Sequence, residues 1–359
     1  MPGARLSIRR ALSRAKPPPR ESGSELSPVA GSPFEGIFEP KPGAVREESV
    51  TFFSEATRVS GLLRLPDDAP GPFSCIVQGP AWLGVKAARR NLPYHSALTA
   101  AGFAVMVFDA RGSGDSDGDR TRILPENQVS DLLNAVTFLT ARPEINPRAI
   151  GTFGTGATGG GNAILAAARD RRIRCVVAQV PISDGEDWLR RMRREYEWYE
   201  FKARIEEDAR RRALGEDGEM VQPRGDIVPA TPEREAAEKS ALVEKREIAD
   251  VSLATAEALL HYRPIDAAGG VRALLVIGVE DDPVTPTDHA VALYEAARPP
   301  KRLLLLPQTT HHEAYTKYEH IVVPEIVSWF TTHLAPDSSP VVTRQEDGSP
   351  IVIRQDDDP

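Results

Sequence analysis

The sequence predicts a doubly wound α/β fold, in which a mostly parallel sheet carries helices on both faces. Six short apolar runs are continuous rather than alternating, which is typical of strands that are covered on both sides. Helical patterns separate these runs, and repeated strand–helix–strand order indicates a parallel sheet. The six runs are residues 75–77, 104–108, 149–153, 175–180, 273–277 and 303–306.

The remaining elements are predicted in chain order around these runs. Two segments rich in β-branched and aromatic residues, 50–53 and 59–65, predict an antiparallel pair of strands at the start of the fold. Apolar residues at helical spacing then predict one helix in each of four intervals between strands. These helices cover residues 94–101, 129–139, 161–168 and 289–297.

One long interval, residues 186–262, lacks a buried-strand run and is rich in charges of both signs. Such a pattern predicts solvated helices that pack through a narrow apolar stripe, and we interpret the interval as a helical cap. Open α/β sheets bind ligands at the carboxyl ends of their strands, where this cap would lie. Its aromatic residues, which include Trp188, Tyr196 and Trp198, either line the substrate site or pack the cap onto the body.

The two ends of the chain differ from this body, which we assign to residues 47–185 and 263–335. Residues 1–46 are basic and proline-rich, which favours a disordered arm, although a targeting peptide has a similar composition. Residues 336–359 form a tail in which a seven-residue pattern recurs around a turn signal. This pattern predicts a small hairpin or a partner contact, with a frayed end as the alternative.

Composition excludes several classes of protein. The chain has 359 residues and a formal net charge of -8, which argues against a nucleic-acid partner. No apolar stretch reaches the roughly 18 residues that a membrane span needs, so we expect no membrane partner and a cytoplasmic location. Cys75 and Cys175 lie in apolar runs and predict buried thiols. The glycine-rich segment 154–161 lacks the residues of a nucleotide-binding loop, and we expect no cofactor.

Several local patterns follow the predicted strands in a characteristic order. They are Gly-Pro-Ala-Trp-Leu-Gly-Val-Lys at 79–86, Phe-Asp-Ala-Arg-Gly-Ser-Gly-Asp-Ser-Asp-Gly at 108–118, Phe-Gly-Thr-Gly-Ala-Thr-Gly-Gly at 153–160, Val-Ala-Gln-Val-Pro at 177–181, Gly-Val-Glu-Asp-Asp-Pro-Val-Thr-Pro at 278–286, and Thr-His-His-Glu-Ala-Tyr at 310–315. Over roughly residues 47–334 this order resembles the α/β-hydrolase superfamily. Within it, the chain is similar to dienelactone hydrolases, X-prolyl-peptidase-like esterases and polyketide transferases.

The resemblance implies an acid and a base for catalysis. Asp282, four residues before Pro286, matches the position of the family's acid, with Asp281 as the second choice. His311 matches the position of the base, where a carboxylate would hold one imidazole nitrogen and stabilise the imidazolium. His312 is adjacent, but no set of residues with metal-ligand spacing accompanies the pair, so we expect no metal.

The resemblance also implies an oxyanion hole made of two backbone N–H groups. One belongs to Ala157, at the predicted start of a helix, and the other to Trp82 or its neighbour Ala81. Fixed backbone donors of this kind stabilise the negative charge that develops on a carbonyl oxygen.

The chain departs from the family at the nucleophile, because Gly156 stands where the family has serine. Glycine has no oxygen that could attack a carbonyl. Four interpretations follow: His311 activates water or a substrate proton without a covalent intermediate; the protein is an inactive binding or scaffold protein; Thr155 or Thr158 replaces the serine; or Gly156 is an engineered change in an ordinary serine esterase.

We therefore predict an enzyme that acts on a medium-sized, partly apolar carbonyl compound such as an ester, lactone or ketone. His311 and Asp282 would provide general-base catalysis with a backbone oxyanion hole and no serine nucleophile. The expected partner is this small-molecule substrate, and a homodimer is a further possibility suggested by the tail.

Overall fold

The computed structural model describes residues 45–67, 70–229, 231–239 and 248–335, and two short strands at 341–344 and 350–353. The predicted basic arm lies outside the described residues except for its last two, Val45 and Arg46, which open the first strand.

A sheet of eight strands forms the body, in the order β1-β2-β4-β3-β5-β6-β9-β10. The pairs β1–β2 and β2–β4 are antiparallel, and every other neighbouring pair is parallel, so the predicted mostly parallel sheet is confirmed. The strands are β1 (Val45–Ser54), β2 (Thr57–Pro66), β3 (Phe73–Gln78), β4 (Ala104–Phe108), β5 (Ile145–Thr155), β6 (Ile173–Gln179), β7 (Met220–Val221), β8 (Val251–Ser252), β9 (Leu274–Val279) and β10 (Lys301–Leu306).

Helices connect the strands and flank the sheet. They are α1 (Leu92–Ala100), α2 (Pro125–Thr140), α3 (Ala157–Arg169), α4 (Gly185–Arg191), α5 (Glu195–Ala213), α6 (Pro232–Lys239), α7 (Ala254–Leu260), α8 (Ile265–Ala268), α9 (Thr287–Ala296) and α10 (Glu319–Leu334). Two 3-10 helices, Arg89–Asn91 and Glu313–Tyr315, precede α1 and α10. None of the helices in the described ranges combines the length and apolar character that a bilayer crossing requires.

Two apolar clusters cover the two faces of the sheet. One contains residues of α2, α3 and α9, such as Val136, Ile164 and Leu293. The other contains residues of α1 and α10, such as Leu98 and Phe330. All five residues of β4 are buried because both of its faces meet helices, which explains why its sequence is a continuous apolar run.

A third apolar cluster belongs mainly to the chain between β6 and β9. Trp188 of α4, Trp198 and Phe201 of α5, and Leu259 of α7 are buried there together. The small antiparallel sheet of β7 and β8 lies in the same stretch. In the tail, β11 (Val341–Arg344) pairs antiparallel with β12 (Pro350–Ile353), which is the arrangement that the repeated pattern predicts for a hairpin.

Candidate active site

The candidate site lies where β5, β9 and β10 end. These strands are parallel, and their carboxyl ends meet at one edge of the sheet. Gly156 follows β5, Asp282 follows β9, and His311 follows β10. The structure therefore brings the predicted acid, the predicted base and the glycine turn to the same edge.

Asp282 and His311 form a direct hydrogen-bonded pair. The Nδ1 atom of His311 lies 2.9 Å from Oδ2 of Asp282, and both side chains are buried. A carboxylate accepts hydrogen bonds, so we assign the imidazole proton to Nδ1, which leaves Nε2 with a lone pair. Asp281 is exposed and has a φ of 54°, and Asp282 is the carboxylate that faces His311.

The turn after β9 holds the Asp282 carboxylate in place. Its Oδ1 accepts from the backbone N–H groups of Val284 (2.7 Å) and Thr285 (2.9 Å). Its Oδ2 also accepts from the Thr285 hydroxyl at 2.9 Å. Burial alone would raise the pKa of Asp282, but its interaction with His311 and the backbone N–H groups of Thr285 and Val284 lower it below its ordinary value. The carboxylate is therefore ionised at neutral pH.

Gly156 makes a sharp turn between β5 and α3. Its φ of 78° and ψ of 172° lie in a region that residues with side chains rarely adopt. A Cβ atom built on Gly156 would lie 3.4 Å from Cβ of Ala81 and 3.8 Å from the hydroxyl oxygen of Tyr315, which are ordinary contact distances. The turn thus borders a small space between Ala81 and Tyr315 that no side chain of residue 156 fills.

The three amides that the sequence suggests for an oxyanion hole differ in their hydrogen bonds. The Trp82 N–H donates to Oγ1 of Thr158 at 2.7 Å and is therefore already occupied. The N–H groups of Ala81 and Ala157 meet no acceptor within the described part of the chain. Ala157 is the first residue of α3, where the helix dipole favours negative charge. Ala81 and Ala157 are thus the better-placed donors.

The two threonines considered as replacement nucleophiles are engaged elsewhere. Oγ1 of Thr155 accepts from Nε2 of Gln78 at 3.2 Å, and Thr158 accepts the Trp82 amide. Both residues are buried, and neither hydroxyl contacts His311 within the described residues. Their hydroxyl groups therefore bond the end of β5 and the start of α3, which flank Gly156, to residues at and just after the end of β3.

Tyr315 and His312 complete the surroundings of His311. Burial raises the pKa of Tyr315 to about 12, against the opposing charge of Arg90, so the phenol remains neutral. The His312 ring stands nearly perpendicular to that of His311, and burial lowers the pKa of His312 to about 3. Across the described ranges, no group of three or more His, Cys, Asp or Glu side chains could hold a metal ion.

The three aromatic residues of the interval 186–262 occupy different places. Trp188 is buried, and its indole N–H donates to the carbonyl oxygen of Val284 at 2.7 Å, so it contacts the turn that carries Asp282. Trp198 is buried in the third cluster and borders a separate cleft of about 330 Å³ together with Asp187. Tyr196 is 56% exposed, and the structure does not bring it to the site.

Two contributors to the site were missed at the level of sequence. Thr285 contacts both Asp282 and His311, with its hydroxyl 3.2 Å from Nδ1 of His311. The Asp-x-x-Thr spacing from Asp282 to Thr285 is a signal that could have identified it, because Asp side chains commonly bond the backbone of the turn that follows them. Arg90, which lies over the Tyr315 ring, has no such signal in the sequence.

Two relatives illustrate what the chain is similar to in sequence. A protein of the traX–finO intergenic region of Escherichia coli is 28% identical over 245 residues, which is 67% of this chain and 85% of that protein. Thiohydrolase aneE of Aspergillus aculeatus is 41% identical over 85 residues, 23% of this chain and 26% of its own length.

Among solved structures, the α/β hydrolase GrgF of Penicillium sp. sh18 superposes with a TM-score of 0.67 at 21% identity. The match covers 81% of this chain and 99% of GrgF, and it shows that the two share the α/β-hydrolase fold. The family described as X-Pro dipeptidyl-peptidase (S15 family) matches residues 55–313, well over half of the sequence. The chain therefore belongs to the X-Pro dipeptidyl-peptidase (S15) family.

Proposed function

We propose that this protein is a hydrolase that acts on a medium-sized, partly apolar carbonyl compound by general-base catalysis, without a serine nucleophile. The observation that carries the proposal is the buried Asp282–His311 pair beside the turn at Gly156, which has no side chain. An ionised acid that holds the histidine in one tautomer is the arrangement that a base needs.

The reaction would begin with a water molecule in the space between Ala81 and Tyr315. Nε2 of His311 takes a proton from this water while the water oxygen attacks the carbonyl carbon of the substrate. Asp282 stabilises the imidazolium that forms. The N–H groups of Ala81 and Ala157 face the resulting oxyanion. When the tetrahedral intermediate collapses, the imidazolium returns the proton to the leaving group, so that the acid product and the free base are formed.

The interval 186–262 would act as a cap over this site. Its contact with the acid turn, from Trp188 to Val284, supports this role and favours a partly apolar substrate. The partial similarity to thiohydrolase aneE supports the inclusion of thioesters among the acyl compounds to be tested.

Gly156 itself favours one alternative, an inactive hydrolase-fold protein that only binds its ligand. An ordinary serine esterase with an engineered change at Gly156 is the other. Both alternatives predict that the wild-type protein does not hydrolyse a substrate through His311. One experiment distinguishes them from our proposal.

The experiment compares hydrolysis of 4-nitrophenyl acetate and a short-chain acyl thioester with labelling by a fluorophosphonate probe. We expect the wild type to turn over substrate without being labelled, and His311→Ala to lose at least about 100-fold in rate. His320→Ala is the control, because His320 is exposed. Labelling of the wild type would contradict the absence of a nucleophile, and equal rates for wild type and His311→Ala would favour the binding protein. If Gly156→Ser alone hydrolyses and is labelled, the serine-esterase alternative is correct.

A further inference from the structure

A cationic side chain lies beside the space above Gly156. Arg90 belongs to the 3-10 helix Arg89–Asn91, and its Cζ atom lies 5.3 Å from the centre of the Tyr315 ring. The hydroxyl oxygen of the same Tyr315 borders the position that a side chain at residue 156 would occupy. Tyr315 therefore contacts the guanidinium group through its ring and borders the reaction space with its hydroxyl group.

The guanidinium of Arg90 lacks an anionic partner. Its Nε atom is buried without a hydrogen-bond partner, and no carboxylate of the described residues forms an ion pair with it. Lys86, which lines the same cavity, is instead paired with Asp109 at 2.6 Å and with Asp115 at 2.5 Å. A buried donor without a partner is unfavourable, so the unsatisfied Arg90 indicates a site that a ligand completes.

A small cavity lies beside Arg90 and extends to Thr155, the residue before Gly156. Arg90, Asn91, Ala81 and Thr155 line it, and its volume is about 20 Å³, room for about one water-sized group. Asn91 is 8% exposed, and its Oδ1 atom is a second buried polar atom without a partner in the described part of the chain. Two residues that each carry a buried polar atom without a partner thus line one cavity, together with Ala81 and Thr155, which lie beside the proposed reaction centre.

We infer that Arg90 binds a carboxylate of the substrate, which makes the substrate a carbonyl compound that carries one carboxylate group close to the reacting carbonyl. This inference rests on the proposed function. A single guanidinium balances a single negative charge, and its planar fork matches the two oxygens of a carboxylate. A dianionic phosphate would leave one of its charges uncompensated.

The first test compares 4-nitrophenyl acetate with the mono-4-nitrophenyl esters of succinate and glutarate. We expect Arg90→Gln to lower the ratio of kcat/KM for a half-ester to that for the acetate by about tenfold to a hundredfold. Arg90→Lys should retain part of the preference because it keeps the charge. Arg89→Gln is the matched control, since Arg89 is the exposed neighbour, and its ratio should equal that of the wild type. An unchanged ratio in Arg90→Gln would overturn the inference.

The second test requires no turnover. Calorimetry would compare binding of 4-phenylbutyrate with binding of the neutral 4-phenylbutyramide. We expect the wild type and His311→Ala to prefer the carboxylate by at least tenfold, and Arg90→Gln to lose that preference. Equal binding of the two compounds by the wild type would contradict the inference. Because His311→Ala separates turnover from binding, a failure of the proposed function would appear as absent hydrolysis with intact carboxylate binding.

Discussion

The carboxylate of Asp282 forms hydrogen bonds with four groups of the candidate site. Two backbone N–H groups, the Thr285 hydroxyl and His311 all bond to Asp282. Three of these four donors belong to Val284 and Thr285 in the turn that follows Asp282, so the turn fixes the carboxylate even without the histidine. Oriented in this way, the acid selects the imidazole tautomer, which is the property that general-base catalysis depends on.

The Asp282 interactions should make stability depend on pH. The pKa of Asp282 is below its ordinary value of 3.8 in the folded protein, so its contribution is present above about pH 4 and is lost as the pH falls through the folded value. We expect Asp282→Asn to lower the free energy of unfolding by about 1–3 kcal/mol at pH 7, and we expect the difference to shrink towards pH 3. Urea unfolding from pH 7 to pH 3 measures it.

Asp281→Asn is the control for this prediction. Asp281 is exposed and has a positive φ, which asparagine tolerates, so its substitution should change the free energy of unfolding by less than about 0.5 kcal/mol. A difference between Asp282→Asn and the wild type that stays constant down to pH 3 would show that the carboxylate charge is not the source of the effect.

The sequence predicts the site residues that belong to a motif. It does not predict the residues whose role depends only on a tertiary contact. Asp282 and His311 follow strands at fixed offsets, and the structure joins them directly. The bond from the Trp82 amide to Thr158 spans 76 residues of chain, and no local pattern encodes such a distance. The position of Arg90 over Tyr315 depends in the same way on how two distant segments pack.

At the scale of elements, prediction succeeded where burial on both faces leaves a continuous apolar run. β4 coincides with the predicted run at 104–108. β5 begins at Ile145, four residues before its predicted run. The prediction missed these four residues because they include two polar residues and Pro147 and so interrupt the apolar run. The strands β7 and β8 have two residues each, and no periodicity can be detected over so short a length.

Helix α3 packs closely against Tyr262 and Pro264 because it has a glycine at position 161. A Cβ atom on Gly161 would lie 2.3 Å from the hydroxyl oxygen of Tyr262 and 2.6 Å from Cγ of Pro264. Tyr262 is buried, and its hydroxyl donates to the Thr158 carbonyl at 2.9 Å and contacts Oδ1 of Asn162 at 2.9 Å. The absence of a side chain at Gly161 therefore allows Tyr262, at the end of the proposed cap, to bond to the helix that begins at the glycine turn.

Gly161→Ala should for this reason destabilise the protein, although alanine is the better helix former by about 1 kcal/mol. We expect the overlap with Tyr262 and Pro264 to outweigh that gain and to lower the free energy of unfolding by about 1–3 kcal/mol, measured by urea titration. Gly269→Ala is the control, since its nearest contact would be 3.3 Å from the Ala296 oxygen, and its change should stay below about 1 kcal/mol. A Gly161→Ala variant as stable as the wild type would disprove the close-packing argument.

At the scale of the whole molecule, the apolar residues divide into the two clusters of the sheet and the third cluster of the proposed cap. The third cluster also includes Trp82 and Ile123 of the body, and polar contacts link it to the loops and helices around the sheet. The Trp188 indole bonds to the Val284 carbonyl, and Nε2 of His289 lies 3.0 Å from Oδ2 of Asp187. A unit with its own core can open before the rest of the fold when its contacts with that fold are weaker than those inside the fold.

Trp198→Ala should show whether the third cluster and the sheet unfold separately. Trp198 is 3% exposed in the third cluster, and removal of a buried tryptophan side chain is expected to destabilise its surroundings by about 3–5 kcal/mol. We expect hydrogen exchange to accelerate in α5 and α7, while protection in β3, β4 and β5 remains at the wild-type level. The control is Glu206→Ala, because Glu206 is exposed about two turns further along α5, and this substitution should leave both regions protected.

The opposite result would be equally clear. If Trp198→Ala accelerated exchange in the central strands as much as in α5, the interval 186–262 and the sheet would form one cooperative unit. The proposed cap could not then open alone, and a substrate would have to reach Gly156 without local unfolding of that interval. Selective loss of protection in α5 and α7 instead means that the third cluster opens by itself, which is the motion that entry to a covered site requires.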